Sequence, residues 1–277
     1  MRLELETGTV ATIPYLTIAP AGAQGRPVVF FICGYGGVKE HGLSLGCKLA
    51  RAGFFVISFD PWLHGERYDE RQQRAADPAL GGLYPPETGL DIGVTFYQVI
   101  QRCKTDVETL LTHFVHDPRA DVSRGGVTGL SMGGYASYLV FARLPQMQAA
   151  APMIGLANFA RRWQDILDET AYSNPAWGAA LAQIGAPVEQ HARFIAELDS
   201  MAQLKAAAPR ALLIMNCDFD ADQPKLYALD TYRELLPSYA DHPEKLQLRI
   251  YPAGHTVTPE MEDDATAWCV RHLLDRE

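Results

Sequence analysis

Unbroken apolar runs alternate with helix-period stretches along most of the chain. Residues 28–32 (VVFFI) and 54–59 (FFVISF) are nearly continuous in apolar character, the mark of strands buried on both faces of a parallel sheet. Residues 10–18 read as an earlier strand, and glycines at 34, 36 and 37 predict a tight turn after the 28–32 strand. Helical spacing over 43–52 stops at a glycine, and 95–114 carries a long amphipathic pattern. Between 77 and 93 lies a loop rich in proline and glycine. Further strands are predicted at 125–130, 149–154, 211–216 and 246–251, with helices at 132–144, 225–236 and 259–274. This rhythm predicts an α/β fold, a mostly parallel sheet flanked by helices.

One stretch breaks the alternation. Residues 158–209 are mostly helical in pattern, rich in alanine and aromatics (Trp163, Tyr172, Trp177, Phe194), and sit between two strands. The expectation is a helical cap over this span, inserted into a core made of 1–157 and 210–277.

Charge narrows the function. The 277 residues carry 24 Lys and Arg against 33 Asp and Glu, a formal charge of -9, so the cationic footprint that nucleic acid demands is missing. The first residues, MRLELETGTV, have neither a basic head nor a long apolar run, and neither a secretory signal nor a membrane span is expected. Five scattered cysteines (33, 47, 103, 217 and 269) form no C-x-x-C pair and read as free thiols of a reducing cytoplasm. No H-E-x-x-H, P-loop or strand-linked G-x-G-x-x-G occurs, so no metal or cofactor is expected.

The chemistry concentrates at G-L-S-M-G, residues 129–133, which follows one predicted strand and opens a predicted helix. That setting forces its serine, Ser131, into a sharp turn that lifts the hydroxyl off the edge of the sheet. A serine hydroxyl is a weak nucleophile at neutral pH and needs a histidine base held by a carboxylate. Of eight histidines, His255 follows Ala253-Gly254 between the last strand and the last helix, on the same edge of the sheet as Ser131. The loop after the preceding strand, N-C-D-F-D-A-D-Q-P, offers Asp218, Asp220 and Asp222 as the acid. The chain order Ser, Asp, His is that of α/β-hydrolases.

From about residue 28 to 272 the chain resembles the α/β-hydrolase superfamily, in its serine esterase branch near dienelactone-hydrolase-like and prolyl-oligopeptidase-type domains. The resemblance aligns the family's H-G-x-x-D-x-x-V-P acid loop with Asp220 and Pro224, which selects Asp220. It also implies an oxyanion hole from the backbone amides of Tyr35 and Met132. Here the sequence departs from the family's H-G-x: Cys33 replaces the histidine, and what props that loop is left open. D-P-W-L-H-G-E-R, residues 60–67, resembles that branch's D-x-x-x-H-G-x-R, and its His64, Glu66 and Arg67 either face substrate or tie the loop through an arginine–carboxylate pair. Trp62 and Trp163 are candidates for an apolar substrate pocket. Dienelactone hydrolases carry cysteine at the nucleophile position, where this chain has serine. The expected activity is hydrolysis of a carboxylic ester of small or medium acyl size, with a small-molecule acyl substrate as partner, no nucleic acid or membrane, and the oligomeric state left open. An aminopeptidase, acyl-peptide hydrolase or thioester hydrolase is the alternative, and a non-catalytic binding protein the rival from another class.

Overall fold

A computed structural model describes residues 1–69 and 90–274. Among the described residues, eight strands, numbered in chain order, form one sheet in the order β1-β2-β4-β3-β5-β6-β7-β8. β1 (Leu3–Val10) and β2 (Ile13–Pro20) make an antiparallel hairpin, and β2 runs antiparallel to β4 (Phe55–Phe59). From β4 onward, β3 (Arg26–Ile32), β5 (Ala120–Leu130), β6 (Met147–Met153), β7 (Ala211–Cys217) and β8 (Leu246–Tyr251) are parallel.

Alternation along the central strands explains the two layers. On β3, Val28, Phe30 and Ile32 join one buried cluster, while Val29 and Phe31 join the other. The second cluster is closed by α1 (Leu43–Ala52) and α9 (Pro259–Cys269). The first is closed by α2 (Leu90–Phe114), α3 (Met132–Arg143) and α8 (Lys225–Leu235), together with the inserted helices. A sheet covered on both faces needs apolar side chains at successive positions, which is why these strands read as solid runs.

Three expectations change. The strand expected at 10–18 is the junction of two strands: Val10 pairs with Ile13 across an Ala11-Thr12 turn, with Ala11 at a φ of 53°. Neither turn residue is a glycine or asparagine, so no residue type punctuates the turn. α2 starts at Leu90 rather than Thr95 and takes in the last residues of the predicted loop; the rest of that span, 77–89, lies outside the described residues. Gly93 read as a breaker, yet a Cβ there would come within 2.8 Å of Trp163 Cζ3, so the helix uses glycine to admit a tryptophan. The last helix is α-helical only to Cys269 and closes in a π turn over Val270–Leu274.

Between β6 and β7 the chain forms four helices: α4 (Phe159–Ser173), α5 (Pro175–Ile184), α6 (Ala186–Leu198) and α7 (Met201–Ala207). Asn174 caps α5 by accepting from the Ala176 amide at 3.1 Å, directly before a proline in the first turn. No helix among the described residues is long and apolar enough to cross a membrane.

Candidate active site

The carboxyl ends of the parallel strands deliver the site. β5 runs into Ser131, whose φ of 53° and ψ of -114° lie outside the regions a serine prefers, and α3 begins at the next residue. Crowding enforces this turn. A Cβ on Gly129 would stand 2.5 Å from the Gly133 carbonyl oxygen, and one on Gly133 would overlap the Ile32 carbonyl oxygen. The Ser131 amide is tied to the Met153 carbonyl at 2.9 Å, which fixes the turn against β6.

His255 sits in the loop after β8, its side chain 30% exposed. Its Nε2 lies 3.0 Å from Ser131 Oγ and its Nδ1 2.8 Å from Asp220 Oδ2. A carboxylate only accepts, so Nδ1 carries the proton and Nε2 is left to accept the serine's hydrogen. Asp220 follows β7, and its carboxylate is fully buried. Its second oxygen accepts the amides of Asp222 and Gln223 at 2.9 and 2.8 Å. Asp218 turns outward to Lys225, and Asp222 is exposed. The acid and histidine loops are joined by backbone bonds, Asp218 N to Tyr251 O at 2.8 Å and Phe219 N to Ala253 O at 3.0 Å.

Among the described residues, oxygens of Asp220 and Asp222 and a nitrogen of His255 come within 4.8 Å of one another, a spacing that could hold a metal ion. Both Asp220 oxygens are already engaged by His255 and two amides, which is the setting of an orienting carboxylate.

The Gly34-Tyr35 turn lies beside the serine: a Cβ on Gly34 would be 3.7 Å from Ser131 Cβ and 3.4 Å from the Leu130 carbonyl oxygen. Met132 is the first residue of α3, where a helix leaves its amides without an intrahelical acceptor. Cys33, in the family's histidine position, is buried, and burial together with the Asp60 charge pushes its thiol up to about 12. A thiol so held does not ionise at neutral pH.

A buried ionic cluster anchors the stretch that follows this turn, through Lys39. Asp60 is wholly buried at the end of β4. It accepts the Lys39 amide at 2.7 Å, Lys39 Nζ at 3.2 Å and the Glu66 amide at 3.1 Å. Lys39 also reaches Glu66 at 2.5 Å and Glu40 at 3.1 Å. Burial alone would lower the lysine's pKa, but its bonds to Glu66, Glu40 and Asp60 outweigh that and hold it above the ordinary value. Arg67 donates to the Asp60 carbonyl at 3.1 Å and pairs with Asp106 of α2 at 2.5 Å. A Cβ on Gly65, which has a φ of 53°, would overlap the Asp60 carboxylate. The D-x-x-x-H-G-x-R spacing is thereby explained as a buried ionic knot between three elements. The sequence pattern singled out Glu66 and Arg67 and included Asp60 only as the first residue of the motif, without a role; Lys39 and Asp106 were passed over because they lie 21 and 39 positions from their partners.

The two tryptophans do not join the Ser131 cluster. Trp62 is 9% exposed and stacks under Arg102, whose guanidinium carbon lies 3.8 Å from the ring centroid. Trp163 is 1% exposed and packs edge-on against Tyr97. A residue not anticipated, Tyr135 of α3, donates to Gln223 of the acid loop at 2.6 Å.

Residues 13–188 match the profile of the Dienelactone hydrolase family, and the chain belongs to that family: it is a hydrolase of the α/β-hydrolase fold. YitV of Bacillus subtilis (strain 168), provisionally named an esterase, is 25% identical over 250 residues, covering 88% of this chain and 89% of its own. Esterase YjfP of Escherichia coli (strain K12) is 24% identical over 275 residues, covering 98% of this chain and all of its own. Among solved structures, TT1662 from Thermus thermophilus superposes with a TM-score of 0.68 at 20% identity over the whole of both chains.

Proposed function

We propose that this hydrolase is a serine esterase that cleaves a carboxylic ester of small or medium acyl size through an acyl-enzyme. The observation that carries this reading is the unbroken hydrogen-bond chain from Ser131 Oγ through His255 to the buried Asp220 carboxylate. Ser131 Oγ attacks the ester carbonyl while His255 Nε2 takes its proton, and Asp220 holds the ring and stabilises the imidazolium. The oxygen of the tetrahedral intermediate is received by the amides of Tyr35 and Met132, each such donor being worth about 10²- to 10³-fold in rate. His255 then hands its proton to the departing alkoxide. Water, activated by the same histidine, cleaves the acyl-serine bond and restores the serine hydroxyl.

Residues 158–209 are proposed to act as a cap. In support, Arg162 of α4 reaches the Asp222 carbonyl in the acid loop at 3.4 Å, and Arg161 pairs with Asp230 of α8 at 2.5 Å. The five free cysteines support a reducing compartment, the cytoplasm in this reading.

The test is turnover of p-nitrophenyl esters from acetate to long acyl chains by wild type and Ser131→Ala. The expected result is hydrolysis peaking at short or medium chains, with kcat lower by about 10⁵- to 10⁶-fold in the variant. Equal activity of the two proteins would overturn the mechanism. Absent turnover, with Ser131 still labelled by a fluorophosphonate, would favour the alternative of a peptide or thioester substrate.

A further inference from the structure

The acid loop has little apolar contact of its own to hold it. Within residues 218–222 only Asp220 is buried, while Asp218, Phe219, Ala221 and Asp222 are exposed. A stretch with so few buried side chains is fixed by its hydrogen bonds. On its near side, the amides of Asp218 and Phe219 are bonded to the Tyr251 and Ala253 carbonyls. On its far side, the amides of Asp222 and Gln223 grip Asp220 Oδ1 at 2.9 and 2.8 Å, the oxygen that does not face His255. Whatever keeps those two amides in place also keeps the acid aimed at the base. The Asp222 carbonyl accepts from Arg162 at 3.4 Å, near the limit of a hydrogen bond. The Gln223 side chain accepts from the Tyr135 hydroxyl at 2.6 Å, a much closer tie.

Tyr135 stands where it can couple two loops. It lies one helical turn after Ser131 on α3, and its amide donates to the Ser131 carbonyl at 3.0 Å. Its ring is 2% exposed, packing edge-on against Phe96 with centroids 5.1 Å apart and at a tilt against Phe159 at 5.4 Å. A phenylalanine would fill that aromatic cluster and leave no hydroxyl to bury, so packing does not account for the phenol oxygen. Burial holds the phenol well above its ordinary pKa, so it keeps its proton and stays a donor at neutral pH.

We propose that Tyr135 is a positioning residue: its hydroxyl, by fixing the Gln223 side chain, holds the Asp220 carboxylate in line with His255 and ties the acid loop to the helix that carries Ser131. This deepens the serine esterase reading above and rests on it. Without the bond, residue 223 drifts, its amide leaves Asp220 Oδ1, and the carboxylate turns away from His255 Nδ1. The imidazolium formed in each half of the reaction then loses stabilisation. Binding of the ester in the ground state is untouched, because the Asp220 carboxylate is sealed from the substrate.

Tyr135→Phe removes the hydroxyl and leaves the ring. With p-nitrophenyl acetate it is expected to lower kcat by about tenfold or more, with KM within about twofold of wild type. The rate of Ser131 labelling by a fluorophosphonate, which needs the same base, should fall by a similar factor. Gln223→Met removes the acceptor and should reproduce both losses, and the double variant should lose no more than either single one, since the two side chains act through one bond. Urea unfolding separates this from a structural role. Gln223→Met leaves the phenol buried without a partner and should be destabilised; the double variant should regain that stability while its kcat stays low. Wild-type kcat in Tyr135→Phe, a raised KM at unchanged kcat, or losses that multiply in the double variant each overturns the proposal. If Tyr135→Phe does not fold, Gln223→Met decides: a fall in kcat at constant KM supports the proposal and wild-type kcat overturns it. If wild type is labelled at Ser131 but turns over no ester, the labelling rates of the same variants decide. Failure of the serine esterase reading looks different: wild type then shows neither Ser131-dependent turnover nor labelling, which removes the proposal with it.

Discussion

At the scale of single residues, the acid loop separates three aspartates by burial and by partner. Only Asp220 is sealed from water and bonded to His255, while Asp218 is engaged by Lys225 on the surface. Asp220→Asn should therefore lower kcat by about 10⁴-fold, because an amide stabilises the wrong tautomer of the imidazole. Asp218→Asn and Asp222→Asn should stay near wild type; steady-state kinetics on a p-nitrophenyl ester separate the three. Gly133→Ala places a methyl group against the Ile32 carbonyl and should cost about 4 kcal/mol or more, seen as a shifted denaturant midpoint or loss of soluble protein. Ser131 and His255 were legible in the sequence because each sits in a short local pattern. The choice among the three aspartates was not local, since it depends on which carboxylate is buried, and there the family resemblance supplied what spacing could not.

At the scale of elements, the helix over Leu43–Ala52 and the strand over Leu246–Tyr251 agree with the periodicity, since burial there follows the residues' own order. What periodicity missed was set by partners elsewhere in the chain. The hairpin turn at Ala11-Thr12 is held by cross-strand pairing, and Gly93 stays helical because Trp163 needs its space. The knot of Lys39, Asp60, Arg67 and Asp106 was equally hidden: it joins residues up to 39 positions apart, and each charge alone reads as an ordinary surface residue. Its energetics follow from burial. Lys39→Met would strand the Asp60 carboxylate in the interior and should destabilise by about 3–5 kcal/mol, measured by urea unfolding. Glu66→Gln should cost under about 1 kcal/mol, since that side chain is 64% exposed. The Lys39 amide bond to Asp60 also anchors the stretch after the Tyr35 turn. On the proposed role of the Tyr35 amide as oxyanion donor, an Asp60→Asn enzyme that still folds should lose kcat with little change in KM.

At the scale of the whole molecule, buried histidines and paired carboxylates divide the acid response into two windows. His272, on the closing π turn, packs at a tilt against Trp268 with ring centroids 4.2 Å apart; burial, with Arg271 and Lys245 adding to it, pushes its pKa down to about 4. His64 is lowered by burial as well. In each case the folded ring resists a proton that the unfolded chain accepts near pH 6.5, so their stabilisation is full above that pH and is lost as pH falls through it, for His272 down to about 4. Carboxylates act lower. Asp117, held below the usual carboxylate range by its bonds to Arg119, contributes stability above the ordinary aspartate value and loses it only as pH falls beneath that. The melting temperature should therefore decline between pH 6.5 and 4.5 before the Asp117 contribution fades. His272→Gln, which stays neutral throughout, should flatten that first decline. The ring is partly exposed, so the gain at pH 4.5 should be only a fraction of the roughly 1.4 kcal/mol per pKa unit expected of a sealed group. A wild-type melting temperature that holds level to pH 4.5 and then drops would assign the acid response to the carboxylates alone.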